Sequence, residues 1–326
     1  MIEQILLEIA VKLAVSILNY RTPELTLKAI QSTLDALADM QSPWTVIVVD
    51  NDSQDGSDEK IKTATSEKQQ ENAPLWDHVE VFQSGRNGGF GAGNNFAIKY
   101  AREQYKDLEY VYILNSDAFP DKDAIRLLVE FLDDNPKYGF AGSYIYGTDG
   151  TPHSTAFRFP SILGEFEGAM RFGPVSKLLD KYKIPLGIPE TSCDVDWLAG
   201  ASMLMRIKTL EDIGVFDETF FLYFEETDLS LRSARSGWPT RYILESKVAH
   251  VGSASTGMKQ WDRMPGYWLD SRRHYFKKNH GTLYFLTATL LRLSGCAFCA
   301  LRSWVERKPN PDPKRLIRDM LSHMFK

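Results

Sequence analysis

Short apolar runs alternate with amphipathic segments over the first two thirds of the chain. Between the first two runs, apolar residues recur at helical spacing from Leu27 to Leu37, behind Pro23 at the first helical position and Thr22 as the predicted N-cap. Alternation of this kind predicts a largely parallel sheet covered by helices. The predicted strands are Leu13–Leu18, Val46–Val49, Val79–Phe82 and Val111–Leu114.

The pattern loses its regularity after the fourth strand. Proline and glycine interrupt residues 159–190, which predicts an insertion or a mobile substrate flap. Periodicity resumes with a predicted strand at Trp197–Met205 and a predicted helix at Glu225–Ser236. Two short closing strands are predicted at Arg241–Leu244 and Lys247–Val251.

Residues 257–326 are predicted to form a helical appendage to an α/β domain over residues 1–256. Thr282–Leu301 is mostly apolar, but Arg292 lies near its middle, where a charge in a membrane span costs at least ~2.5 kcal/mol. Basic residues flank this run on both sides. Two interpretations stay open, helices packed against the main domain and a helix lying on a membrane surface.

Composition narrows the class of protein. Hydrophobic residues make up 43% and charged residues 25%, as in an ordinary soluble globular protein. The 38 basic against 43 acidic residues argue against nucleic acid as a partner. Three cysteines are too few for a disulfide framework, and Cys296 and Cys299 are predicted as core or membrane-facing residues. Met1–Ala10 lacks the features of a secretory signal, so we expect a cytoplasmic protein.

Polar residues end each predicted strand, and open α/β sheets bind ligands at these carboxyl ends. Asp117 places a carboxylate where a hard cation bridging two phosphates needs an oxygen ligand. Asp50 and Asn51 can contact a base and a ribose. The segment at Asp117 and the segment at Asp50 and Asn51 can each form an Asx turn instead of binding a ligand. The four strand ends are Asn19-Tyr20, Asp50-Asn51-Asp52, Arg86-Asn87 and Asn115-Ser116-Asp117.

Glycines are unusually dense from Gly88 to Gly93, ahead of a predicted helix that runs to Tyr105. They allow the backbone to approach a ligand closely and present free N–H groups. The dinucleotide-binding fingerprint belongs in the first strand-to-helix turn, where residues 19–22 contain no glycine. A nicotinamide-dependent oxidoreductase is therefore disfavoured.

Three acidic residues, Glu225, Glu226 and Asp228, begin the predicted helix directly after an aromatic run. All three complement the helix dipole, and Asp228 is expected to pair with Arg232. Two adjacent glutamates beside aromatic rings can also include one with a raised pKa, suited to removing a hydroxyl proton. His250 ends another apolar run and is either a structural histidine or a metal ligand.

Taken together, these segments resemble family 2 glycosyltransferases of the GT-A fold, and most closely their rhamnosyltransferase-like branch. The matching blocks occur in the family's order and span residues 13–256. The resemblance implies a Rossmann-like, mostly parallel central sheet flanked by helices. The five blocks are Val15–Tyr20, Val48–Ser57, Asn87–Asn95, Leu114–Asp117 and Phe221–Arg232, with a further match at His250-Val251-Gly252-Ser253.

The resemblance also implies roles for these residues. Asp117 and His250 would hold Mg²⁺ or Mn²⁺ beside the diphosphate of a sugar donor. The family's Glu-Asp pair is Glu225-Glu226 here, so the general base falls on Glu226, with Glu225 in reserve. The residues implied to surround the nucleotide are Asn19, Tyr20, Asp50, Asn51, Arg86, Asn87, Gly88, Gly89, Asn94, Asn115 and Ser116.

The implied reaction is a single displacement with inversion, onto a hydroxyl of a lipid-linked or polysaccharide acceptor at the inner face of the cell membrane. The branch suggests dTDP-L-rhamnose as the donor, and Trp197 would either stack on a sugar or lie in the core. The main alternative is a non-catalytic nucleotide-sugar-binding or scaffolding subunit. A sugar-phosphate nucleotidyltransferase is disfavoured because no glycine-rich basic loop follows the first strand. The oligomeric state is not specified.

Overall fold

The computed structural model describes residues 11–252 and 261–325, and its central feature is one large twisted sheet. A small two-stranded sheet lies beside it. The strands are β1 (Leu13–Asn19), β2 (Trp44–Asp50), β3 (Val79–Gln83), β4 (Tyr110–Asn115), β5 (Ala118–Pro120), β6 (Phe140–Tyr146), β7 (Ala156–Phe157), β8 (Cys193–Val195), β9 (Trp197–Leu198), β10 (Ser202–Arg206) and β11 (Thr240–His250).

The large sheet follows the order β3-β2-β1-β4-β10-β6-β11-β5, and β8 pairs with β11. Strands β1 to β4, β6 and β11 run in the same direction, and β10, β5 and β8 run against them. The predicted mostly parallel sheet is therefore confirmed, with one reversed strand, β10, inserted at its centre. The small sheet pairs β7 with β9.

Helices cover both faces of the large sheet. Two 3₁₀ turns, at Pro74–His78 and Asp180–Tyr182, complete the regular structure among the described residues. The helices are α1 (Pro23–Leu37), α2 (Ser57–Gln70), α3 (Gly89–Gln104), α4 (Ala124–Asp134), α5 (Ile162–Met170), α6 (Gly173–Leu178), α7 (Ile207–Ile213), α8 (Glu225–Arg235), α9 (Gly266–His280), α10 (Thr282–Val305) and α11 (Leu316–Met324).

The two faces of the sheet explain why the first strands are continuous apolar runs. Alternate residues of β1 point to opposite sides, with Leu13, Val15 and Ile17 packed among α1, α2 and α4. Ala14 faces the other side, where it joins a second cluster with α3, α7 and α8. A strand buried on both faces needs apolar side chains at every position, whereas a one-sided strand alternates.

Several local predictions differ from the structure. No helix is predicted between the second and third strands, but the structure has α2 there, a mostly exposed helix with only three buried residues. The predicted strand Trp197–Met205 is divided into β9 and β10, and the two predicted closing strands form the single strand β11 with a register shift after Ile243. Thr22 does not cap α1 through its side chain, because its hydroxyl lies 3.0 Å from the Ser116 hydroxyl.

The stretch 159–190 is not a flap, because it contains α5, which packs along α10. Gly295 of α10 allows this close approach, since a Cβ there would lie 2.9 Å from the Ala169 Cβ. Leu293 and Cys296 join Ala169 in a cluster that also includes residues of α9 and α11. One face of α10 therefore packs against the rest of the protein, as the first of the two interpretations expects.

A buried ionic cluster joins α5, α9 and α10. Glu165 lies 2.5 Å from Arg272 and 3.3 Å from Arg292, and Arg272 donates a hydrogen bond to Thr289. Burial alone would raise the pKa of Glu165, but the two guanidinium charges outweigh it and hold that pKa below its usual range. Arg292, which disfavoured a membrane span, thus faces a carboxylate inside the protein.

Three predictions fall outside the described residues. These are the absence of a secretory signal in Met1–Ala10, the boundary between residues 256 and 257, and the assignment of Ser253 to the histidine block. The division into residues 1–256 and 257–326 stays a prediction. Residues of α9 and α10 share a cluster with Phe220 and Leu231, so the C-terminal helices pack directly on the α/β part.

Candidate active site

A cavity of about 460 Å³ opens at the carboxyl ends of β1, β2 and β4. The sheet-edge wall comprises the ends of these strands and residues 199–201, which lead into β10 beside β4. The other lining residues are Phe221, Leu222, Tyr223, Glu225, Glu226 and Tyr267. Of the predicted site residues, the cavity brings together Tyr20, Asn51, Asn87, Gly89, Asn115, Ser116, Asp117, Glu225, Glu226 and His250.

Asp117 and His250 meet on the sheet-edge wall. His250 Nε2 lies 2.9 Å from Asp117 Oδ1, and the Gly252 amide donates to Oδ2 at 3.1 Å. Burial would raise the pKa of Asp117, but the contact with His250 outweighs it and lowers that pKa. The two residues are brought together because β5, which starts after Asp117, pairs antiparallel with the end of β11.

This pair offers one carboxylate and one imidazole as candidate ligands for a divalent cation. Within residues 11–252 and 261–325, no group of three or more His, Cys, Asp or Glu side chains could hold a metal ion. Mg²⁺ and Mn²⁺ prefer oxygen ligands and commonly retain waters or substrate phosphates. The residues therefore fit a cation that is held jointly by the protein and a diphosphate.

Asn51 and Asn87 connect β2 to the glycine-rich turn. The Asn51 amide donates to Asn87 Oδ1 at 3.1 Å and to the Gly89 carbonyl at 3.2 Å. Tyr20, Asn115 and Ser116 line the same wall, with the Ser116 hydroxyl close to that of Thr22. These side chains present amide, hydroxyl and aromatic groups to a ligand at the sheet edge.

Two residues predicted to contact the nucleotide lie beneath the cavity and do not line it. The side-chain amide of Asn19 donates to Asp50 Oδ1 at 2.6 Å, and Asn19 Oδ1 accepts from the Thr26 hydroxyl at 2.7 Å. Asp50 also accepts from the amide and the hydroxyl of Ser53. Both side chains are fully buried, so their polar atoms hold the ends of β1 and β2 together.

The glycine-rich turn packs against protein at the positions where ligand contact was predicted. A Cβ on Gly89 would lie 1.8 Å from the Phe221 carbonyl oxygen, which accepts a hydrogen bond from the Phe90 amide at 3.1 Å. Gly89 has a φ of +87°, which favours glycine. The turn thus anchors the segment that contains Phe221 to the edge of the sheet.

Three predicted residues in and beside this turn, Arg86, Gly88 and Asn94, do not line the cavity. Asn94 is buried and bonds to the Ser16 hydroxyl and the Phe90 carbonyl. Arg86 lies in a separate surface depression, where it pairs with Glu218. Gly88 lies against Ala92, so a side chain there would collide with the first turn of α3.

Glu225 and Glu226 begin α8 and face the cavity. Burial raises the pKa of both carboxyl groups, and the charge of Glu226 raises that of Glu225 further. One oxygen of each, Oε2, is buried without a hydrogen-bond partner in the described structure. Both carboxyl groups therefore hold their protons to higher pH than an exposed glutamate does.

Asp228 has the structural role predicted for it. It accepts from Arg232 at 2.9 Å, as expected one turn along α8, and it also contacts Lys278 and Asn279 of α9. Trp197 does not line the cavity, because it stacks on Phe157 and donates to the Arg158 carbonyl.

Sequence reasoning missed an aromatic cluster at the cavity, formed by Phe221, Tyr223, Trp261 and Tyr267. Phe221, Tyr223 and Tyr267 line the cavity, and Trp261 packs on the two tyrosines. The aromatic run at 220–224 was one signal for it. No sequence pattern indicated Tyr267, which lies in residues 257–326, where only helices are predicted.

Comparison with known proteins identifies the family. The model of "Glycosyl transferase family 2" matches residues 15–192, more than half of the chain. The chain belongs to glycosyl transferase family 2. The match ends before Glu225 and His250, so the roles of those residues in this transferase rest on geometry.

Two curated relatives of the transferase are rhamnosyltransferases. The N-acetylglucosaminyl-diphospho-decaprenol L-rhamnosyltransferase of Mycobacterium tuberculosis is 27% identical over 228 residues, which cover 67% of this chain and 69% of that one. Rhamnosyltransferase WbbL of Escherichia coli is 29% identical over 165 residues, which cover 50% of this chain and 60% of that one. The predicted resemblance to the rhamnosyltransferase-like branch is thus confirmed.

A solved structure supports the fold. The mannosyltransferase PcManGT from Pyrobaculum calidifontis, in complex with GDP-Man and Mn²⁺, aligns with a TM-score of 0.52 at 14% identity. The alignment covers 97% of this chain and 85% of that one. The transferase therefore has the GT-A fold expected from its sequence.

The contact at Gly89 can be tested by substitution. Gly89→Ala combines an unfavourable φ with a collision against the Phe221 carbonyl, so we expect it to destabilise the transferase by about 2–5 kcal/mol. Gly150→Ala is the matched control, because Gly150 also has a positive φ, +83°, but no atom within 4 Å of an added Cβ. It should cost only about 1–2 kcal/mol in urea denaturation. Equal losses in the two variants would contradict the contact.

Proposed function

We propose that this transferase moves a sugar with inversion of the anomeric configuration, from a nucleotide-diphosphate donor to an acceptor hydroxyl, with help from a divalent cation. The observation that carries the proposal is a single cavity lined both by the Asp117–His250 pair and by Glu225 and Glu226. A group that binds diphosphate and a group that accepts a proton thus face the same space.

The proposed reaction is one displacement. Glu226 accepts the proton of the acceptor hydroxyl, whose oxygen forms a bond to the anomeric carbon as the bond to the diphosphate breaks. The leaving diphosphate keeps the electron pair of that bond. Asn51, Asn87 and Tyr20 on the sheet-edge wall orient the nucleotide. A bound cation would neutralise charge on the diphosphate next to Asp117 and His250.

The two glutamates suit different protonation states. Because burial raises the pKa of both carboxyl groups and the two interact, the pair carries one proton over a range of pH. We assign its charge to Glu226, which occupies the second position of the acidic pair, where the resembled family has its base. A base must be ionised to accept a proton, and a raised pKa brings its basicity closer to that needed near neutral pH. This favours Glu226 as the base and Glu225 as a neutral neighbour.

For donor and acceptor, the curated relatives support the proposal. Both are named as rhamnosyltransferases, and the name of the mycobacterial one specifies an N-acetylglucosaminyl-diphospho-decaprenol acceptor. We therefore propose dTDP-L-rhamnose as the donor and a lipid-linked or polysaccharide acceptor in cell-surface glycan synthesis. Comparison of transfer from dTDP-L-rhamnose, UDP-sugars and GDP-mannose tests this assignment.

Removal of the Glu226 carboxylate should stop turnover. We expect Glu226→Gln to lower kcat by roughly 10²–10⁴-fold and to leave donor affinity nearly unchanged. Glu225→Gln should retain most activity, because glutamine resembles the protonated glutamate. The wild-type rate should fall as pH drops through the raised pKa of Glu226, so its acidic limb should lie above the ordinary glutamate value of 4.5. An inactive Glu225→Gln beside an active Glu226→Gln would reverse the assignment.

Donor binding should require the cation. Without it, Asp117 faces the diphosphate as an unscreened like charge, so we expect dTDP or UDP to bind at least about tenfold more weakly in EDTA than in Mg²⁺ or Mn²⁺. Asp117→Ala should abolish this difference in calorimetric titrations. Asp121→Ala, an exposed carboxylate a few residues along the chain, is the control and should preserve it. A metal requirement that persists in Asp117→Ala would exclude Asp117 from the cation site.

We also propose that α10 holds the transferase on the inner face of the cell membrane. Of thirteen large apolar side chains exposed in the described residues, nine lie between Leu283 and Phe325. On α10 they follow one stripe, opposite the residues buried against α5. This stripe consists of Leu283, Leu290, Phe298, Leu301, Trp304 and Val305.

Charge and length favour a surface contact for α10 over a span. By length and composition, α10 is the single helix in the described part that could cross a membrane, but 39% of its most apolar window is buried in the protein. Exposed basic residues follow it, each worth about 1 kcal/mol near an anionic surface. These are Arg307, Lys308, Lys314, Arg315 and Arg318.

The membrane contact can be tested without truncation, which would remove the partners of Glu165 and Arg272 on α10. We expect the triple variant Leu290→Gln, Leu301→Gln, Trp304→Ser to lose flotation with anionic vesicles of phosphatidylglycerol. Leu178→Gln, which changes an equally exposed leucine outside α10, should float like wild type. Wild-type flotation should decrease with salt. If the triple variant floats normally, α10 is not the contact surface.

A further inference from the structure

The aromatic cluster of Phe221, Tyr223, Trp261 and Tyr267 has no role in the reaction described so far. Tyr223 and Tyr267 lie nearly parallel, with ring centroids 6.3 Å apart and planes inclined by 11°. Trp261 packs edge-on against Tyr223 at 5.5 Å and against Tyr267 at 6.2 Å. Phe221 lies 5.8 Å from Tyr267 and is 40% exposed. Together they form a continuous aromatic surface at the cavity.

The cluster shares a backbone segment with the acidic pair. Phe221, Tyr223 and Tyr267 line the same cavity as Glu225 and Glu226, whereas Asp117 and Asn51 belong to the edge of the sheet. Residues 221–226 are continuous in sequence, so the rings and the carboxylates are held by the same backbone segment. A ligand ring on this surface is therefore adjacent to the proposed base.

The backbone is strained where the cluster meets α8. Tyr223 and Phe224 have φ values of +69° and +70°, a left-handed conformation that is unfavourable for bulky side chains. The consequence is that consecutive rings diverge. Tyr223 joins the cluster, and Phe224 packs into the core on Trp268 and Tyr275. Strain of this kind is retained at sites where it positions groups for function.

We propose that the aromatic cluster is the acceptor subsite and that it takes a pyranose ring. The apolar C–H face of the sugar stacks on Tyr267 and Phe221, which leaves its free hydroxyl directed toward Glu226. Trp261 and Tyr223 support the stacking rings from behind. This inference rests on the proposed function, because it assigns the acceptor side of that same reaction.

A flat aromatic surface could also stack on the base of the donor nucleotide. The chain order favours the acceptor, because Phe221 and Tyr223 belong to the segment that carries Glu225 and Glu226, whereas the polar groups able to hold a nucleotide follow the ends of β1, β2 and β4. Separate measurements of glycoside binding and of nucleotide binding distinguish these two ligands.

The test measures binding of methyl glycosides of N-acetylglucosamine, L-rhamnose, galactose and mannose by saturation-transfer NMR, with dTDP and Mg²⁺ present. We expect wild type to bind at least one of them. Tyr267→Ala and Phe221→Ala should weaken that binding by about tenfold, the size of one aromatic stacking contact. Tyr267→Phe, which keeps the ring, and Tyr146→Ala, which removes a partly exposed tyrosine outside the cavity, should bind like wild type.

Affinity for dTDP, measured by calorimetry, should change by less than about twofold in all four variants. Loss of dTDP affinity in Tyr267→Ala with glycoside binding intact would overturn the inference and assign the cluster to the base. Unchanged glycoside binding in Tyr267→Ala and Phe221→Ala, or no glycoside binding by wild type, would overturn it as well. A wild-type protein that binds glycosides through Tyr267 but neither binds a nucleoside diphosphate nor transfers sugar would instead refute the proposed function and leave the subsite standing.

Discussion

The site depends on one close contact, between the backbone of Gly89 and the carbonyl group of Phe221. It joins the first turn of α3, which belongs to the sheet-edge half of the cavity, to the segment that leads into α8. Two hydrogen bonds between Asn95 and the backbone of Phe216 hold the same segment a few residues earlier. Together these contacts help to set the distance between the acidic pair and the Asp117–His250 pair.

A second set of contacts fixes α8 from the other side. Asp228 is fully buried and receives Arg232 from its own helix and Lys278 and Asn279 from α9. In turn, α9 is held to α5 and α10 by Arg272 and its buried partner Glu165. The carboxylates that face the cavity are thus carried by a helix anchored at both its N-terminal junction and its outer face. Such rigidity is what a positioned proton acceptor requires.

The sequence predicted the core of the fold well because buried parallel strands are continuous apolar runs. The predicted first strand, Leu13–Leu18, differs from β1 by a single residue. The same approach missed α2, whose mostly polar surface gives a weak helical signal. Hydrophobic patterns report burial, so an exposed helix is hard to recognise from them.

The candidate site was only partly predictable for a different reason. Residue type does not reveal whether a polar group faces a ligand or another part of the chain. Asp50 and Asn19 end neighbouring strands as a ligand site would, but they bond to each other. Likewise the cluster at Tyr223 and Tyr267 and the pairing of Arg292 with Glu165 join positions far apart in sequence. Such contacts depend on how the helices pack, which no local pattern specifies.

Arg292 also bears on how the chain is made. By length and composition, the α10 segment meets the requirements of a membrane span. An arginine near its centre raises the cost of insertion by about 2.5–3.5 kcal/mol, which biases the segment against becoming a transmembrane anchor. Once α5 has folded, Glu165 offers that arginine a buried counter-charge. One side chain thus raises the cost of placing α10 in a membrane and pairs with a buried carboxylate in the folded protein.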